Sequence, residues 1–137
     1  MKLAFGCVGV SSLVPSQWLD EEDTVPVAHI VFCRVHSQPP DRPAVPAAML
    51  TPMAVRPDRQ RQGLGLGLMR HALAELEAAG ERLFLVLGHP DFYVRAGFSS
   101  SLGARIESPW SGTPAFMARG LDVPHGTLVM PTPIAAS

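Results

Sequence analysis

Val55-Arg56-Pro57-Asp58-Arg59-Gln60-Arg61-Gln62-Gly63-Leu64-Gly65-Leu66-Gly67 joins an apolar, strand-like run to a strongly helical one. The stretch is basic and rich in glycine. Its order, strand then glycine loop then helix, sets backbone N–H groups at a helix N-terminus, where aligned peptide dipoles favour a phosphate or pyrophosphate. Upstream, Met49-Leu50-Thr51-Pro52-Met53-Ala54-Val55 reads as the strand. Pro52 has no N–H to give to a ladder, so a bulge is expected there, leaving backbone groups for a ligand. Downstream, between Gly65 and Ala79, Leu66, Met69, Leu73 and Leu76 recur at three- and four-residue steps on one face. Gly80 stands where a left-handed residue would end the helix. Arg82-Leu83-Phe84-Leu85-Val86-Leu87 is an apolar run of strand length, expected to be central and buried. Strand, helix and strand in succession predict a βαβ unit with parallel strands.

Working outward, Pro26 to Val35 is rich in β-branched residues and reads as a strand. With Gln17-Trp18-Leu19 it predicts a hairpin across an acidic turn, Asp20 to Thr24. That turn lacks the glycine bend and spaced ligands of a calcium loop, so it reads as a solvated tip. Ser37 to Pro46 holds four prolines and predicts a loop. Gly88-His89-Pro90 breaks the later strand; Asp91 to Ala96 predicts a short helix with Pro90 near its first turn, closed by Gly97. Ala115 to Ala118 and Thr127 to Met130 read as late strands. Met1 to Val8 is too short an apolar run, and too interrupted by Gly6, for a signal peptide. It reads as a buried strand or a disordered start.

Bulk properties narrow the function. The chain has 137 residues, enough for one core. A net charge of −1 gives the whole no electrostatic reason to seek nucleic acid or an anionic membrane. No run approaches the ~20 apolar residues of a membrane span. Cys7 and Cys33 have no metal-ligand spacing, so no metal is expected; a disulfide between them is open but not called for. A reducing cytoplasm is the expected location.

The glycines then discriminate among phosphate-binding loops. A dinucleotide fingerprint starting at Gly63 needs glycine where Leu68 stands, and one starting at Gly65 needs it at Arg70. A phosphate loop for nucleotide hydrolysis needs Gly-Lys-Ser/Thr, which does not follow. The site therefore suits a ligand whose phosphates are held and not transferred. What remains is Gln-x-x-Gly-x-Gly, met by Gln60, Gly63 and Gly65.

Here the sequence resembles the GNAT superfamily of N-acetyltransferases, in its acetyl-CoA pyrophosphate loop. Tyr93-Val94-Arg95-Ala96-Gly97-Phe98 is similar to the family's Tyr-x-x-x-Gly-Phe segment. Leu85 to Tyr93 resembles a bacterial subgroup's Leu-Gly-x-Pro-x-Tyr-Tyr stretch, and Phe116-Met117-Ala118 resembles its late strand. The likeness spans roughly residues 18–130 and is strongest over 50–98. It implies an α/β fold of the α+β kind: a mixed, mostly antiparallel sheet with a central parallel βαβ unit and flanking helices. Residues 17–137 would form that single domain, with 1–16 a divergent or disordered segment in place of the usual strand and two helices.

The resemblance implies acetyl-CoA as cosubstrate and a primary amine of a small molecule or protein as acceptor. It implies that the loop Gln60, Arg61, Gln62, Gly63, Leu64, Gly65 and Leu66 grips the pyrophosphate, and that backbone groups of Met53 and Val55 pair with the pantetheine arm. It implies Tyr93 as general acid for the departing thiolate; a phenol with an ordinary pKa of ~10 keeps its proton at neutral pH. Tyr93 is the single tyrosine of the chain. His89 reads as a turn residue and His29 as structural. No general base declares itself, because the strand from Leu50 to Val55 carries no Asp or Glu. Since the missing helices wall the acceptor site in the family, the resemblance leaves a second subunit, as in a homodimer, to complete it. It equally leaves a non-catalytic CoA-binding or protein-interaction remnant as the alternative to an enzyme.

Overall fold

The structure is a computed structural model describing residues 2–5, 16–22, 25–55, 63–120 and 123–130. Its strands are β1 (Lys2–Phe5), β2 (Ser16–Glu22), β3 (Val25–Gln38), β4 (Val45–Val55), β5 (Phe84–Leu87), β6 (Ile106–Glu107), β7 (Phe116–Arg119) and β8 (Gly126–Val129). Its helices are α1 (Leu64–Ala78), α2 (Pro90–Tyr93) and α3 (Ser100–Gly103), with a 3-10 turn at Val94–Ala96. All eight strands belong to one sheet, ordered β1-β2-β3-β4-β5-β7, with β8 also on β3 and β6 on β8. Pairing is antiparallel except for β4 with β5 and β6 with β8. The parallel βαβ unit is the one expected from the glycine loop and its flanks, and the mixed, mostly antiparallel sheet around it is the one the family resemblance implies.

The hairpin is also present, but Asp20, Glu21 and Glu22, expected in the turn, lie within β2, where Glu22 pairs with Val25. Likewise Ser37, Gln38, Val45 and Pro46, expected in a loop, belong to strands. The reason is non-local. The far end of β3 has β4 on one edge, Ser37 against Val45, and β8 on the other, Ser37 against Leu128. Pairing on both edges outweighs the local loop signal of the prolines. One edge of β3 is thus shared in turn by β2 and β8.

The period-2 alternation of the strands sorts side chains onto two faces. Ile30, Phe32, Ala48, Leu50, Phe84, Val86 and Met117 pack against Leu68, Met69, Ala72, Leu73 and Leu76 of α1. On the opposite face, Val35, Ala47, Met49, Leu85, Phe116 and Ala118 pack with Leu83, Ile106 and Val123. Phe84, Leu85 and Val86 are therefore buried from both sides, which explains the continuous apolar run of β5. The expected helix stripe is correct for Met69, Leu73 and Leu76. Leu68 and Ala72 widen it, and Leu66 is only partly buried.

At the lower end of this unit Arg34 of β3 grips Glu81, just past α1. Arg34 Nη1 donates to Glu81 Oε1 at 2.8 Å and to the Ala47 carbonyl at 3.1 Å, while Nη2 meets Oε2. Glu81 is buried. Removing Glu81 takes away the carboxylate that Arg34 grips at this partly buried position. Glu81→Ala is expected to lower the unfolding free energy by about 3 kcal/mol. Denaturant titration checks this, and a midpoint equal to wild type would deny the clamp its structural role.

Candidate active site

The chain order fixes where ligands can meet the fold. In a parallel βαβ unit the helix starts at the carboxyl ends of both strands, and open α/β sheets bind ligands at that end. Three features gather there: the start of α1, the upper half of β4, and the segment after β5.

The start of α1 is an uncapped cluster of donors. Gly63 is the N-cap, left-handed at φ 80°, a conformation that favours glycine, and among the described residues no side chain caps the helix. The first intrahelical bond runs from Gly67 N–H to the Gly63 carbonyl at 2.9 Å. The amides of Gly63, Leu64, Gly65 and Leu66 thus precede the helix ladder. No acidic residue stands in the first turn, so no carboxylate of the helix competes for them. Gly65 is buried and Leu66 rests against the core below α1. Gln60, Arg61 and Gln62 of the expected loop lie outside the described residues, as do Arg56 and Arg59.

The upper half of β4 loses its parallel neighbour. Ala48 pairs with Phe84 and Met49 with Leu85, and there the ladder ends. From Leu50 to Val55 the edge of β4 toward β5 has no strand in register among the described residues. Its other edge stays paired to β3, with Met53 opposite Ile30 and Val55 opposite Ala28. Between them the register slips, since Ile30 faces Met53 while Phe32 faces Leu50. One extra residue is accommodated at Thr51–Pro52, so the bulge expected from Pro52 is present.

Beyond β5 the chain forms a platform for Tyr93. Pro90 opens α2 after the N-cap His89, whose carbonyl accepts from Phe92 N–H at 3.2 Å and Tyr93 N–H at 3.3 Å. The His89 side chain makes no capping bond and is exposed. The platform is laced to neighbours at several points. Gly88 N–H donates to the Ala115 carbonyl at 2.9 Å. Ser99 and Ala118 exchange bonds of 2.8 and 3.0 Å. Arg70 of α1 donates to the Arg95 carbonyl at 3.1 Å. The Tyr93 ring is half-buried, edge-on to Phe92 at 5.0 Å and to Phe98 at 6.0 Å. Burial raises the phenol pKa above its ordinary value, because the charged phenolate is disfavoured away from water. His29 sits in β3 opposite Ala54. Gly88 was legible only as a strand breaker. A glycine at a strand end also signals close approach of another group, and here that group is the Tyr93 ring.

A cleft lies at the opposite end of the unit. It has a volume of about 520 Å³ and is lined by Arg34, Val45, Pro46, Gly80, Glu81 and Arg82. Its main charges satisfy each other in the Arg34–Glu81 pair, and it is remote from the helix start, so volume is no guide to the chemistry here. Among the described residues no three His, Cys, Asp or Glu side chains converge on a metal position, and no helix is long and apolar enough to cross a membrane.

Comparison with known proteins agrees with this geometry. The acetyltransferase (GNAT) family model matches residues 11–98. The uncharacterized N-acetyltransferase YjhQ of Escherichia coli is 36% identical over 78 residues, 56% of this chain and 42% of that protein. The GNAT family N-acetyltransferase YhbS of E. coli, solved in complex with CoA, superposes with a TM-score of 0.71 at 23% identity, covering 82% of this chain and 65% of that one. A GNAT family acetyltransferase from Brucella melitensis, solved with acetyl-CoA, gives 0.65 at 28% identity, covering 85% and 66%. The chain thus spans less than half the length of the curated relative and about two thirds of the two solved structures. It belongs to the GNAT acetyltransferase family.

Proposed function

We propose that this chain binds acetyl-CoA and transfers its acetyl group to a primary amine of a small molecule or a protein. The observation that carries the reading is the helix start at Gly63, with amides ahead of the ladder and, among the described residues, neither a side-chain cap nor an acidic residue in the first turn. Such a donor set fits a pyrophosphate. Its coincidence with the parted strands and with Tyr93 at one end of the parallel unit extends the fit to the rest of the cosubstrate. The Brucella relative, solved with acetyl-CoA, supports the same assignment.

Acetyl-CoA supplies a thioester activated toward amines. The protein's part is binding, orientation and one proton. Amides of Gly63, Leu64, Gly65 and Leu66, with Gln60, Arg61 and Gln62 of the loop, hold the pyrophosphate. Backbone groups of Met53 and Val55, on the β4 edge that β5 leaves, take the pantetheine arm as a sheet takes another strand. The bulge at Thr51–Pro52 turns the adjoining backbone out of the regular ladder, where it orients the acetyl carbonyl. Tyr93 keeps a proton at Oη for the sulfur as the carbon–sulfur bond breaks. An amine that arrives uncharged needs no base from the protein. We place the protein in the cytoplasm, and a second copy of the chain is the proposed means of walling the acceptor site.

The test is thiol release from acetyl-CoA in the presence of a panel of amines. Release that requires an amine is the expected result. Bound acetyl-CoA with no release from any amine would leave a cofactor-binding module and overturn the transferase reading.

A further inference from the structure

We propose that Gly88 is a positioning residue for the phenol of Tyr93: the side chain missing at the end of β5 is the seat on which the ring lies. The inference rests on the reading of Tyr93 as proton donor. A Cβ built on Gly88 would stand 2.5 Å from Tyr93 Cε2, 3.2 Å from Cδ2 and 3.4 Å from Cζ. Cζ carries the hydroxyl, so the contact falls at the working end of the ring. Carbon atoms settle at about 3.5–4.0 Å, so one methyl group would push the ring back by roughly 1 Å.

The backbone does not explain the glycine. Left-handed glycines are found at positions 63, 80, 97 and 112, and Gly88 is not among them. Its conformation is open to any residue; only the ring forbids a side chain. The seat has two further walls. Phe98, itself buried, meets the ring edge-on at 6.0 Å, and Phe92 does so at 5.0 Å. Gly88 is in turn pinned by its N–H to the Ala115 carbonyl. Tyr93 is half-exposed, so a displaced ring can yield toward solvent. A side chain at position 88 therefore moves the phenol while leaving the fold standing, which separates a positioning role from a structural one.

A misplacement of 1 Å costs up to about 100-fold in rate when geometry is what the site supplies. Gly88→Ala is expected to lower kcat by roughly 10- to 100-fold with the KM for acetyl-CoA within about twofold of wild type. In a Tyr93→Phe background the same change is expected to cost nothing more, since no hydroxyl remains to misplace. A Gly88→Ala loss as large in that background as in wild type would overturn the proposal. A second measurement needs no turnover. With a single tyrosine in the chain, labelled ring carbons report this phenol alone. Its titration midpoint should fall in Gly88→Ala toward the ordinary phenol range as the ring leaves its buried seat. At neutral pH the wild-type ring should show a nuclear Overhauser contact to the Gly88 α-protons. An unchanged midpoint or a missing contact overturns the seat. Full kcat in Tyr93→Phe would instead overturn the proton-donor reading, and the ring measurements would then decide the seat by themselves.

Discussion

Gly65→Glu should abolish useful binding of acetyl-CoA, weakening it by at least about 100-fold, or roughly 2.8 kcal/mol at 1.4 kcal/mol per decade. Gly65 lies in the first turn of α1, among the amides that precede the Gly67–Gly63 bond. A carboxylate there takes the place of the anion and satisfies the same donors. Acidic residues in a first helical turn are favourable for the helix itself, by about 0.3–1 kcal/mol. Gly65 is buried, so the carboxylate must also displace its neighbours, and a thermal melt beside the calorimetry separates loss of ligand from loss of fold. Gly65→Ala adds bulk without charge, so its loss should be smaller by at least about tenfold. Equal affinity for the Glu variant and wild type would remove the helix start from the binding site.

Tyr93→Phe should lower kcat by about 100-fold or more, the usual scale for a lost acid–base group, with little change in cosubstrate affinity. The phenylalanine ring keeps the contacts with Phe92, Phe98 and Gly88, so the platform is preserved. The pH profile carries a signed expectation. A general acid works only while protonated. Burial raises the Tyr93 pKa, so the proton is retained to more alkaline pH than in a free phenol. The wild-type rate should thus fall on the basic side only as pH climbs through that raised value, and the basic limb should vanish in Tyr93→Phe. An alkaline limb that survives the substitution belongs to another group.

Much of this site is written in local signals. The glycine loop before a Leu/Met stripe marks the start of α1, Pro52 marks the bulge in β4, and the Pro90 and Gly97 pair brackets the segment that carries Tyr93. Each works through a constraint inside one or two residues: a missing N–H, a left-handed φ, a fixed proline ring. What was not legible depends on residues distant in sequence. β3 runs on through Ser37 and Gln38 because β8 arrives from 90 residues later in the chain to cover its free edge. α3 and β6 are too short to have a period of their own. Ser99 caps α3 through Oγ, which accepts from Leu102 N–H at 3.3 Å. Gly88 looked like punctuation because the ring it seats belongs to the next turn of chain.

The segment from Gly88 to Ser99 is fastened at its start to Ala115, at its end to Ala118, and in between to Arg70. It is stitched at both margins to one stretch of chain. On the proposed reading of Tyr93, the phenol is held before either substrate arrives, so the entropy of immobilising it is met once, when the protein folds, and does not recur with each turnover.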